Sequence, residues 1–183
     1  MMSGLSDQDS VFAYADSAQV EELCQMLIRM QGRLQHRLAA LEQSATNVAR
    51  CNAESRDLRS LPTKVRLIWS DFCAICEHEH HVVFPIIQRL QHKTVISPCH
   101  AGMIAARTKI VMRQQDSLAA AIREVREIAA SELSPAGPCE TCHEFLQLLT
   151  KFEADFARCL RDERTLLLQP AIERERVLSR RHD

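Results

Sequence analysis

Long stretches of apolar residues at three-and-four spacing alternate along the chain with short polar breaks. From Ala18 to about Cys51, Val20, Leu23, Leu27, Met30, Leu34, Leu38, Leu41, Ala45 and Val48 fall on one face of a helix. Asn52 to Ser60 is a polar connection. Ser60-Leu-Pro62 then offers a start signal, a capping Ser beside a Pro that the first turn tolerates. The second helix runs to about His92 and carries Val65, Ile68, Phe72, Ile75, Val82, Ile86 and Leu90 as its stripe. Pro85 lies inside it, removes a backbone donor, and is expected to kink it.

Ser97-Pro98 starts a third helix, which runs to about Leu133 with Ile104, Val111, Leu118, Ile122, Val125 and Ala129 as its face. Ser134-Pro-Ala-Gly-Pro138 breaks the chain. The fourth helix extends from Pro138 to about Gln169, with Phe145, Leu149, Phe152, Phe156, Cys159 and Leu167 in line. Four long helices with short links predict an all-α fold, a four-helix up-down-up-down bundle. The expected organisation is an arm over 1–17, the bundle over 18–170 and a polar tail over 171–183.

Two carboxylates interrupt the apolar stripes. Glu79 falls in the middle of the second helix's stripe, and Glu163 falls between Cys159 and Leu167 on the fourth. A carboxylate among core positions is costly unless it is paired, hydrogen-bonded or bound to a cation. Two helices that each place a glutamate inward are how a bundle builds a carboxylate-bridged metal site. They are equally how a bundle buries a structural carboxylate against an Arg or against its twin. His78, His80 and His81 lie about 100° or more off the stripe and are expected on the solvated flank.

Composition narrows the choices. The chain has 183 residues, 46% hydrophobic and 26% charged, with only four Gly and six Pro, which is a globular and helix-rich balance. A net charge of −1 gives no reason to propose nucleic acid or an anionic membrane as a partner. No apolar run approaches the roughly 20 residues a bilayer span needs. The first residues lack a basic region followed by an apolar run, so no secretory signal is read there. Eight cysteines without such a signal read as reduced thiols in a cytoplasm, most of them small core residues.

Cys139-Glu-Thr-Cys142-His143 matches the haem c attachment pattern, but covalent attachment usually goes with export, and the motif opens a helix after a Pro. Cys73-x-x-Cys76 and Cys139-x-x-Cys142 would make a four-thiolate zinc site only if they met. The bundle separates them by roughly 30 Å along the helices.

The second and fourth helices echo each other. One reads Ile75-x3-Glu79 followed by Val83-Phe84-Pro85, and the other Cys159-x3-Glu163 followed by Leu167-Leu168-Gln169-Pro170. This echo resembles the hemerythrin-like family of cation-binding proteins, and within it the iron–sulfur cluster repair branch. Met112-Arg-Gln-Gln-Asp116, Pro138-Cys139 and Phe152-Glu-Ala-Asp155 fall in the order that branch has them, and the similarity covers roughly Met30 to Ile172. The family holds iron with histidines from four helices and two bridging carboxylates. The resemblance puts the bridging carboxylates on Glu79 and Glu163. It puts the histidines on Met30, Ile75, Asp116 and Cys159, with a further branch histidine on Cys51, and none of these is His.

The site has three readings. An altered metal site would use Glu79, Glu163, Cys159, Asp116 and Cys51, and thiolate with carboxylate would favour zinc over an oxygen-bridged iron pair. A structural pair would join the two glutamates to an Arg or through a shared proton. An intact iron site would borrow ligands such as His36 or His100. The function expected is that of a cytoplasmic hemerythrin-like protein with a degenerate di-iron site, an atypical metal-binding or non-catalytic sensor or interaction module. The alternative is a working di-iron protein of the repair type, handling iron, O2 or NO stress. An interaction module would show an exposed apolar patch or a homodimer face.

Overall fold

The computed structural model describes residues 17–93, 96, 100–132 and 140–180. The described residues are helical with no strand among them, as the spacing predicts. The α-helices are α1 (Ser17–Cys51), α2 (Arg56–His78), α3 (Phe84–Leu90), α4 (Met103–Glu132), α5 (Glu140–Glu163) and α6 (Gln169–Arg180). A π-helical turn, Glu79–Val83, joins α2 to α3 without a break, and another, Arg164–Leu168, joins α5 to α6. The result is four rods. α1 packs against α2 and α5, α2 also against α4, and α4 against α5 and α6. Among the described residues, no helix is long and apolar enough to cross a membrane.

The first rod follows its predicted stripe closely, with three additions. Cys24, Gln31 and Ser44 are buried beside Val20, Leu27, Leu34, Leu38 and Leu41, while Leu23 and Met30 are only partly buried. α2 starts earlier than Ser60. Ser55 is its N-cap, with Oγ accepting from the Leu58 N–H at 3.2 Å, and Pro62 stays within the helix. In the interior, Phe72 and Phe156 meet edge to face with centroids 6.0 Å apart, and Phe156 stacks on Phe152 at 5.9 Å. This aromatic layer lies about two turns before Glu79 and Glu163 on their helices.

Pro85 is accommodated by the π turn before it. An α-helical Pro85 would press its ring on the carbonyl four residues back. The chain instead widens by one residue, and the Phe84 N–H reaches the carbonyl of Glu79. The other π turn is built alike, with the Gln169 N–H on the carbonyl of Arg164 just before Pro170. The extra residue steps the stripe of the second rod forward. Val83 and Ile87 are buried where Val82 and Ile86 were expected, and the latter two are half-buried.

Residues 171–180, expected in a polar tail, belong to α6, which buries Ala171, Glu175 and Leu178 at helical spacing. Glu175 holds the start of α4. Its Oε1 accepts from the Ile104 N–H and its Oε2 from the Ala105 N–H, both at 2.9 Å. Gly102, at φ 81°, makes the left-handed turn into α4 that other residues would resist. The proposed third-helix start at Ser97-Pro98 and end at Leu133, and the break through Pro138, lie outside the described residues.

Candidate functional site: a buried glutamate pair

Glu79 opens the π turn that follows α2 and Glu163 closes α5 just before the other π turn, each on the apolar stripe of its rod. Both are 1% exposed. They face each other across a central cavity of about 10 Å³ lined also by Gln31, Phe72, Ile75, Gln115, Leu118, Phe156, Cys159 and Leu160. A space of that size is about one water's worth.

Two glutamines satisfy the carboxyl groups. Gln31 of α1 donates from Nε2 to Glu79 Oε2 at 2.5 Å. Gln115 of α4 donates from Nε2 to both glutamates, to Glu79 Oε1 at 3.1 Å and to Glu163 Oε2 at 3.0 Å. Glu163 Oε1 is buried and takes no N–H or O–H from the described residues. The two carboxyl groups face each other, and burial together with the Glu79 charge favours the protonated form of Glu163.

The electrostatics agree. Burial, which strips water from the charged form, pushes the Glu79 carboxyl up to about 7, and the bonds from Gln115, Glu163 and Gln31 restrain the rise. Glu163 is raised well above the usual carboxylate range, by burial first and then by the neighbouring Glu79 charge. Arg164 opposes this from the edge of the site.

Both glutamines are themselves anchored. Arg164, first residue of the second π turn, donates from Nε to Gln115 Oε1 at 2.9 Å and from Nη2 to the Met112 carbonyl at 3.1 Å and Asp116 Oδ1 at 2.8 Å. Gln31 Oε1 lies 2.6 Å from His80 Nε2. Because the Gln31 amide nitrogen is committed to Glu79, its oxygen is the acceptor and His80 carries the Nε2 hydrogen. Burial and then the neighbouring His81 lower the His80 pKa, which favours this neutral form. His80 is thus half-buried and part of the network, not on the solvated flank expected of it. The π turn accounts for the difference, because it rotates His80 toward α1.

The expected ligand positions scatter. Glu79, Glu163 and Cys159 come together at the cavity. Asp116 is exposed and pairs outward with Arg164. Cys51 is exposed at the end of α1. The next residue, Asn52, contacts Cys142 at 3.6 Å, about 25 Å of helix from Cys159. Cys51 and Cys159 therefore cannot approach to bond. His36 and His100 are exposed. Cys139 is outside the described residues. On α1 and α4 the positions Met30 and Asp116 are each one residue away from the side chains that face the pair, Gln31 and Gln115. Burial pushes the Cys159 thiol up to about 12, reinforced by Glu163 and Glu79, so it is a protonated thiol at neutral pH.

These donors do not fit the di-iron centre that the resemblance implies. Three of the four glutamate oxygens accept amide hydrogens, Glu163 Oε1 has no hydrogen-bond partner among the described residues, and no histidine nitrogen lines the cavity as a di-iron centre would need. Ile75 offers no donor. Among the described residues, no three His, Cys, Asp or Glu side chains form a group that could hold a metal ion. No known family model and no curated protein matches the chain.

Proposed function

We propose that the protein is a hemerythrin-like four-helix bundle of up-down-up-down topology whose ancestral metal site has become a metal-free, proton-sharing core. It then acts as a non-catalytic sensor or interaction module. The observation that carries this reading is Gln115, one amide that bridges both inward glutamates and is itself held by Arg164. The amides neutralise three of the four carboxylate oxygens where a metal would otherwise sit, and an acid hydrogen on Glu163 would stand in for the cation.

The echo of glutamate, π turn and proline on two rods supports the family shape. Gln31, Ile75, Gln115 and Cys159 surround the pair, and this argues against nitrogen-ligated redox chemistry. Burial pushes Glu79 up to about 7, and a core that changes charge near neutrality is what a proton-responsive module would need.

The test is elemental analysis of untagged protein, per chain, before and after dialysis against a chelator. The expected result is no stoichiometric metal and a melting temperature unmoved by chelator. Near-stoichiometric iron that disappears in a Glu79→Ala/Glu163→Ala variant would sink this reading and restore the iron repair alternative. Zinc lost in the same variant would instead support the altered metal site.

A further inference from the structure

A second site lies beyond the glutamate pair, where α3, the start of α4 and α6 meet. A cleft of about 540 Å³ opens there, within the range of small-molecule sites. Its floor is apolar. Leu90, Ile96 and Ile104 are buried in it, half-buried Ile86 adds to one wall, and Met103 overhangs it while 37% exposed.

The polar groups around this floor are mostly basic. Arg89 and Lys93, one turn apart, reach the cleft beside Ile86 and Leu90, and His100 stands on the opposite side. The side chains of Arg89 and Lys93 make no hydrogen bond or ion pair among the described residues. The acid in the lining is Glu175, and it is already engaged. Both its oxygens accept backbone N–H groups at the start of α4, where the helix dipole also favours negative charge. It is therefore matched, while the two cations at the end of the second rod have no matching anion among the described residues.

We infer that this cleft binds an amphipathic carboxylate, a medium-chain fatty acid in its simplest form. Its headgroup meets Arg89 and Lys93, and its hydrocarbon chain lies over Leu90, Ile96, Met103 and Ile104. A guanidinium and an ammonium on adjacent turns supply charge-assisted bonds to one carboxylate. The apolar floor supplies the transfer energy of the chain, about 0.8 kcal/mol for each buried methylene. A neutral alcohol lacks the headgroup contacts, and a cationic amphiphile meets like charge. Binding here is independent of whether the glutamate pair holds metal.

The experiment is calorimetric titration of the full chain with decanoate, with decanol and decyltrimethylammonium as controls. The variants are Arg89→Glu/Lys93→Glu and Met103→Trp. All three positions are exposed, so circular dichroism should show an unchanged fold. Saturable one-to-one binding of decanoate is expected, weakened at least tenfold by the charge reversal and blocked by the indole placed over the floor. Decanol should bind more weakly and the cation not at all. The inference is overturned by no decanoate binding at about 1 mM, by equal affinity in the charge-reversed variant, or by equal binding of the cation. Flotation with anionic phospholipid vesicles, if it occurs without decanoate binding, also overturns it and assigns the basic rim to a membrane surface.

Discussion

Replacing Glu163 by Gln isolates the shared proton. In the folded protein Glu163 is the protonated member of the pair, raised well above its usual range by burial and by Glu79. In the unfolded chain it ionises near 4.5. Folding therefore takes up a proton wherever the unfolded group is ionised and the folded one is not. Stability from this group is fully present below about pH 4.5 and is lost as pH rises toward the folded value. The loss steepens to about 1.4 kcal/mol for each pH unit, or about 2 kcal/mol over the first two units.

In Glu163→Gln the new amide would carry an N–H where the acid hydrogen sits, and would keep an oxygen for Gln115, without needing a proton from solvent. The variant should thus gain on the parent by about 2 kcal/mol between pH 4.5 and pH 6.5. The assay is urea unfolding tracked by helical circular dichroism at several pH values. With a slope of about 2 kcal/mol per molar urea, the midpoint difference should shift by about 1 M across that window. Differencing the two proteins cancels other carboxylates. A stability difference that stays constant with pH would refute the reasoning, because Glu163 would then be ionising normally and the pair would share no proton.

The same geometry carries further expectations. Gln115→Leu leaves both glutamates and Arg164 without their common partner, and should cost about 2–4 kcal/mol at pH 8 and less at pH 4.5, read by the same unfolding curves. Glu175→Ala removes both acceptors from the start of α4 and should cost about 1–2 kcal/mol, with faster amide exchange at Ile104 and Ala105 as the local signature. Ile87→Ala should cost about 2–4 kcal/mol and Val82→Ala under about 1 kcal/mol in thermal melts. Equal costs would mean that the π turn does not shift the stripe. Chelator treatment at neutral pH should leave the melting temperature unchanged.

Apolar spacing alone determined the helical class, the extent of α1, and the inward direction of Glu79 and Glu163. A carboxylate within a three-and-four stripe is legible without coordinates, because helical phase over two turns fixes the face. The partners of those carboxylates were not legible. Gln31 and Gln115 are polar residues one place from Met30 and Asp116, and nothing local distinguishes a buried amide from a solvated one. A useful signal was present in phase, since Gln115 sits between Val111 and Leu118 at spacings of four and three, and Gln31 between Leu27 and Leu34 likewise.

His80, Val83 and Ile87 were misplaced because a regular 100° step cannot anticipate a π turn. Only the steric demand of Pro85, met by widening the preceding turn, sets the phase of α3. The capping role of Glu175 needed α6 to be brought against α4, about 70 residues away in sequence. The sequence by itself determined which faces are apolar and where two acids must be buried. Tertiary structure decided what neutralises those acids, because a buried charge is settled by the donors that neighbouring helices bring to it.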